Sequence, residues 1–117
     1  MSMQKTCEIL EGRVVETTKA ECPISVYVKP DSDERRTLVE VYGLDEHTLN
    51  SALDPDELAR LEFEPGHTAF IFKLPKNYSA HDRLLFKVSS VGLFLFPERL
   101  IIVQSEDIAL FEGRQFL

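Results

Sequence analysis

A chain of 117 residues is the size of one domain, and at that length about two-thirds of the unfolded surface can be buried, so a core needs no staples. Hydrophobic residues make up 44% and charged residues 28%, the proportions of an ordinary globular protein. The net charge of −7 repels a phosphate backbone, which argues against nucleic acid as a partner; most of the acidity is solvated surface.

Thr6–Leu10 and Arg13–Thr17 are strand-like and flank Glu11-Gly12. A glycine at the second position of a two-residue loop suits a type I′ hairpin. After a polar connection, Thr18–Glu21, the run Ile24–Val28 alternates and Pro30 closes it. Asp31 then opens a helix, with Glu34 three residues on as the return arm of a capping box. Leu38, Val39 and Tyr42 form its apolar stripe, and Gly43 stops it. A second short helix follows, with Asp45 as N-cap and Leu49, Ala52 and Leu53 as its apolar face. Asp54-Pro55-Asp56-Glu57 caps one further turn, with Pro55 where its missing N–H costs nothing.

Arg60–Glu64 alternates, which predicts a strand whose polar outer face meets water. Glu64-Pro-Gly-His67 predicts a type II turn, with Gly66 supplying a positive φ. Thr68–Leu74 returns as the partner strand and Pro75 ends it; Lys76–Arg83 reads as a polar loop. Val88–Phe96 and Leu100–Gln104 form a last hairpin about Pro97–Arg99. Alternation fails from Val91 to Phe96, which predicts a strand covered on both faces near mid-sheet. Ser105–Leu117 has no clear period, and its uncapped apolar end, Gln115-Phe116-Leu117, reads as a cut. The order β-β-β-α-α-β-β-β-β predicts an α/β or α+β domain with a mixed sheet, with no internal repeat and no second boundary.

Cys7 and Cys22 are the only cysteines, fifteen positions apart, and read as reduced, partly buried residues of a cytosolic protein. The N-terminus has no signal-peptide core, and the longest apolar run is far too short to span a bilayer. His47, His67 and His81 lack metal-ligand spacing and read as surface or turn histidines. Ser89-Ser90 precedes Val91-Gly92 without a nucleophile elbow, and no glycine-rich nucleotide motif is present. No catalytic residue is assigned, and the chain is expected not to be an enzyme. Two acid clusters, Asp31/Asp33/Glu34 and Asp54/Asp56/Glu57, are explained by capping, with a weak divalent-cation site as the sharper reading. Arg35, Arg36, Lys73, Lys76 and Lys87 are scattered and read as solvated surface.

From Tyr42-Gly-Leu-Asp-Glu-His-Thr-Leu-Asn-Ser-Ala-Leu-Asp-Pro-Asp-Glu57, through Ala59–Phe63 and Thr68–Pro75, to Val91–Gln104, the chain resembles the N-terminal cytosolic domain of the CorA family of divalent-cation transporters. The opening hairpin fits the family's usual start. The resemblance implies an α/β fold with a mixed sheet of about six to seven strands and helices on its faces. It implies that residues 1–117 form one cytosolic regulatory domain of a membrane transporter for magnesium or another divalent cation, and that the parent is a ring of five.

Two departures qualify what is carried over. The family's Gly-Met-Asn signature, both membrane helices and the stalk helix are absent from this sequence, so the chain itself cannot conduct ions. The positions resembling the family's acidic regulatory pair read Asn50 and Ser51, and two neutral ligands hold Mg²⁺ poorly, so no metal ligand and no firmly bound cofactor is assigned. A second hypothesis is a stand-alone interaction module of the same fold, recognisable by an exposed edge strand or apolar patch. A small enzyme is the third.

Overall fold

The computed structural model describes residues 3–16, 23–75 and 88–106. Thr18–Glu21, Lys76–Arg83, Cys22, His81, Lys87 and residues 107–117 lie outside them. The elements are β1 (Met3–Leu10), β2 (Arg13–Glu16), β3 (Ile24–Val28), α1 (Ser32–Glu40), α2 (Glu46–Ala52), β4 (Arg60–Glu64), β5 (His67–Pro75), β6 (Val88–Phe96) and β7 (Arg99–Gln104). The order is the one expected. The seven strands make one mixed sheet, β2-β1-β3-β7-β6-β5-β4, in which only β3 and β7 run parallel. The fold is α/β.

Local chemistry sets most of the boundaries. Glu11 and Gly12 both have positive φ (52° and 78°), as a type I′ turn requires. Asp31 caps α1 in a full capping box: its Oδ1 accepts from the Glu34 N–H at 2.9 Å, and Glu34 Oε1 accepts from the Asp31 N–H at 3.0 Å. Gly43, at φ 80°, turns the chain after α1, and the Leu44 N–H reaches back to the Leu38 carbonyl. Asp45 then caps α2 by accepting from both the backbone N–H and the hydroxyl of Thr48 at 3.0 Å. That pair of bonds, backbone first, holds the Asp45 carboxyl below its ordinary range. Asp54 closes one further turn, its Oδ1 accepting from the Asp56 N–H and its carbonyl from the Glu57 N–H.

Both described helices pack on one face of the sheet. Leu38, Leu44, Leu49 and Ala52 meet Tyr27, Ala69, Ile71, Phe94, Ile101 and Val103 there. Gly92 lets α2 approach β6 closely, because a Cβ at that position would lie 2.6 Å from the Ala52 Cβ. The opposite face carries a second cluster of Cys7, Ile24, Val26, Val28, Val91 and Ile102.

The expectation for β6 holds over most of its length, since Val91 and Phe94 are fully buried on opposite faces, but Leu95 is 58% exposed. Two expectations are corrected. Gly66 does not take a positive φ, so the turn before β5 is not type II. Its N–H instead reaches the Glu64 carbonyl at 3.0 Å, a tighter closure centred on Pro65, whose fixed φ suits an inverse γ-turn. The faces of β4 are also reversed. Arg60, Glu62 and Glu64 share the helix face with Ile71 and Ala69 and are half-buried, while Leu61 and Phe63 point to the far face and are exposed.

Candidate functional site

A groove of about 470 Å³ lies between α1 and α2. Its walls are Ser32, Arg35, Arg36, Glu40, Glu46 and Asn50, over an apolar floor of Val39 and Leu49. The turn at Gly43 sets the two helices side by side, so residues expected to be scattered surface cations, Arg35 and Arg36, converge on one groove. Arg36 is 3.8 Å from Asp33, one turn earlier and almost fully exposed. Arg35 Nη1 donates to Asn50 Oδ1 at 3.4 Å.

Asn50 and Ser51 therefore have different lives. Asn50 is exposed at the groove beside a guanidinium, which disfavours a second cation. Ser51 is buried and accepts from Arg60 Nη2. Neither carries a charge and each is engaged by an arginine, so the pair does not fit the Mg²⁺ site of the resemblance. Among the described residues, no three His, Cys, Asp or Glu side chains are grouped to hold a metal. The acids of both clusters are exposed apart from the half-buried Glu34, and Asp31, Glu34 and Asp54 are engaged in caps.

Two of the residues read as surface are not fully solvated: Lys73 is half-buried and His67 is buried. Lys73 is directly opposite Ser90 in the β5–β6 register, and its Nζ donates to Ser90 Oγ at 2.7 Å and to the Asp54 carbonyl at 2.8 Å. Burial lowers the Lys73 pKa, opposed by the charges of Asp54, Glu57 and Asp56. A lysine beside a serine is the chemistry of a nucleophilic dyad. Here Ser90 has no exposed surface, so a substrate carbonyl cannot reach it. The pair ties the end of α2 to the sheet instead. Seventeen positions separate the two residues, and only the β5–β6 register brings them together.

His67 was expected in a solvated turn. It is 8% exposed, stacked on Phe96 with centroids 4.7 Å apart and 5.9 Å from Phe94. Its Nε2 is buried with no hydrogen-bond partner, and burial lowers its pKa against the opposing charges of Glu64 and Asp45. His47 is exposed, as expected. Further along the same face, Arg99 stacks over Tyr42, 4.8 Å from its centroid. Tyr27 is pushed up to about 12 by burial first, then by Tyr42.

The second notable surface is apolar. Of the six large hydrophobics left exposed among the described residues, Leu61, Phe63, Phe70 and Leu95 share the far face of β4, β5 and β6. β4 is the sheet's terminal strand.

No protein-family model and no curated protein matches the chain. Solved structures do. The soluble domain of CorA from Methanocaldococcus jannaschii superposes with a TM-score of 0.62 at 19% identity, covering 90% of this chain and 41% of that one. The complete CorA magnesium transporter from the same organism superposes with a TM-score of 0.59 at 18% identity, covering 92% and 33%. The chain thus has a CorA-like fold and spans less than half the length of either structure. Among the described residues, no helix is long and apolar enough to cross a membrane.

Proposed function

We propose that this chain is the cytosolic regulatory domain of a CorA-like transporter of magnesium or another divalent cation. The observation that supports the reading is the seven-stranded mixed sheet with its α1–α2 pair, superposable over nine-tenths of the chain on the CorA soluble domain. The domain works on the cytoplasmic side of the membrane, in a homo-oligomeric parent, and acts mechanically: cation binding between neighbouring domains biases a closed arrangement, and its loss frees them. It performs no catalytic step. Asn50 and Ser51 supply no carboxylate, so the cation's ligands come from elsewhere in the assembly.

Reading the coding sequence past Leu117 tests this. A long helix followed by two apolar spans of about 20 residues is the expected continuation. A stop codon directly after Leu117 overturns the transporter reading.

One observation favours a second reading, that of a self-standing interaction module. The exposed apolar end of the sheet, with β4 as its edge, is the surface such a module presents.

A further inference from the structure

We propose that a second copy of this chain docks on that end of the sheet, edge to edge along β4 and antiparallel about Glu62. The proposal rests on the second reading and deepens it by naming the partner.

The far-face side chains stand in two rows that cross the sheet. The first runs Ile102, Leu93, Phe70, Leu61; the second runs Leu100, Leu95, Thr68, Phe63. Exposure rises toward the edge along the first row, from 0% at Ile102 to 48% at Phe70 and 53% at Leu61, and Phe63 at the end of the second reaches 78%. The apolar layer therefore does not end where the buried cluster ends. It continues to the outer edge of β4, broken only by Thr68. Single exposed apolar residues are normal, but a contiguous patch of this kind marks a contact surface.

The edge itself selects the partner. Among the described residues β4 pairs only with β5, and it contains neither lysine nor proline to blunt its free side. Its charges, Arg60, Glu62 and Glu64, turn to the helix face, which guards an edge against foreign strands. Against a second β4, Arg60 and Glu64 match, and Glu62 alone meets a like charge. Antiparallel pairing about Glu62 sets Arg60 opposite Glu64 of the other copy, twice, and Leu61 opposite Phe63 of the other copy, twice, on the far face. Glu62 meets its own copy at the dyad, and in each chain the Arg60 Nε already stands 3.4 Å from its carboxylate. Opposite charges and aromatic–aliphatic pairs directly across two strands are favourable. The contact is closed and two-fold, so it stops at two chains. It is small, at the low end of interface sizes, so it depends on concentration.

Sedimentation velocity on the whole chain, over about two decades of concentration, tests the pairing. The mass is expected to rise from one chain to two and stop. Phe63→Lys, at a side chain too exposed to matter for folding, is expected to hold the mass at one. Glu62→Cys is expected to form a chain-to-chain disulfide under mild oxidation, above the background set by Cys7 and Cys22 in the parent chain and suppressed by Phe63→Lys. A mass fixed at one chain overturns the pairing, as does growth past two, or a dimer that Phe63→Lys leaves intact. An apolar-surface dye, anilinonaphthalene sulfonate, separates this from failure of the module reading. With the mass fixed at one, stronger dye binding by the parent than by Phe63→Lys removes the self-pairing alone; equal binding removes the interaction surface as well.

Discussion

Gly92 in β6 and Ala52 at the end of α2 are fitted to each other: a methyl group on Gly92 would come 2.6 Å from the Ala52 Cβ and 2.9 Å from Phe94 Cε1. Ala52 and Phe94 are fully buried and cannot step aside into solvent. Gly92→Ala is therefore expected to lower stability by about 1–3 kcal/mol, the usual cost of overpacking a core. Ala52→Gly in the same chain opens the space and is expected to recover part of that loss, less about 1 kcal/mol for a helical glycine. Urea melts of the two single variants and the double variant form a cycle that reads the coupling directly.

How legible this contact was in the sequence is instructive. The element order, both helix caps, the I′ turn and the interior place of β6, one strand from the central β7, rest on neighbours within a few residues, and local chemistry decides them. Gly92 has no local reason to be glycine; its partner lies forty positions away, and only the docking of α2 gives it one. β4 shows the same limit more sharply. Its alternation announced a strand with two unlike faces, but not which face the sheet would turn toward the helices. That choice is made by its pairing to β5, where Leu61 lies opposite Phe70 and Arg60 opposite Ile71. His67 and Lys73 were misread for the same cause: a turn-proximal histidine and a strand lysine are exposed by default, and burial comes from the layer above them. The groove could have been suspected from Arg35 and Arg36 preceding a glycine stop, but the facing wall belongs to another helix.

Lys73 is expected to be a structural tie. Lys73→Met keeps most of the apolar stem but leaves Ser90 Oγ without its donor in a fully buried position. A loss of about 1–3 kcal/mol follows from stranding such a group. Adding Ser90→Ala removes the stranded partner, so the double variant is expected to be more stable than Lys73→Met alone. Thermal melts of the three proteins decide it; equal stability of the double and single variants would refute the tie.

Removing a cap should be felt in proportion to what it holds. Asp45→Ala strips both bonds to Thr48 at the start of α2, and about 1 kcal/mol is the expected loss. The effect has a pH signature. Because the folded state lowers the Asp45 pKa, the cap's stabilisation is present above the ordinary aspartate range and lost as pH falls through the depressed value. The gap between parent and variant is thus expected to close in acid, as followed by circular dichroism.

His67 adds a second acid sensitivity in a different window. The fold lowers its pKa, so the unfolded chain takes up the proton first, near the ordinary histidine value of about 6.5. Stability is expected to be full above that value and to decline as pH falls from it toward the lowered folded value. The charges facing the ring, Glu64 from the end of β4 and Asp45 from the start of α2, oppose the shift without cancelling it. His67→Phe keeps a ring on Phe96 and removes the titration, so melting temperature in that variant should be flat through the same window. A parent chain equally flat there would show that the imidazole is not held neutral.

Divalent cations test the groove. A ligand that binds only the folded chain raises its melting temperature by mass action. With Arg35 on Asn50, and Ser51 buried under Arg60, magnesium, cobalt and zinc at sub-millimolar concentrations are expected to leave the melting temperature where it was. Asn50→Asp should not by itself create a site, because the new carboxylate takes Arg35 as its partner in place of a metal. Pairing Asn50→Asp with Arg35→Gln removes that competitor and leaves the carboxylate in the groove near Glu46, which lines it too. Weak magnesium stabilisation is expected in that double variant alone. A rise in the parent chain would mean that carboxylates elsewhere in this domain bind the cation without Asn50 and Ser51.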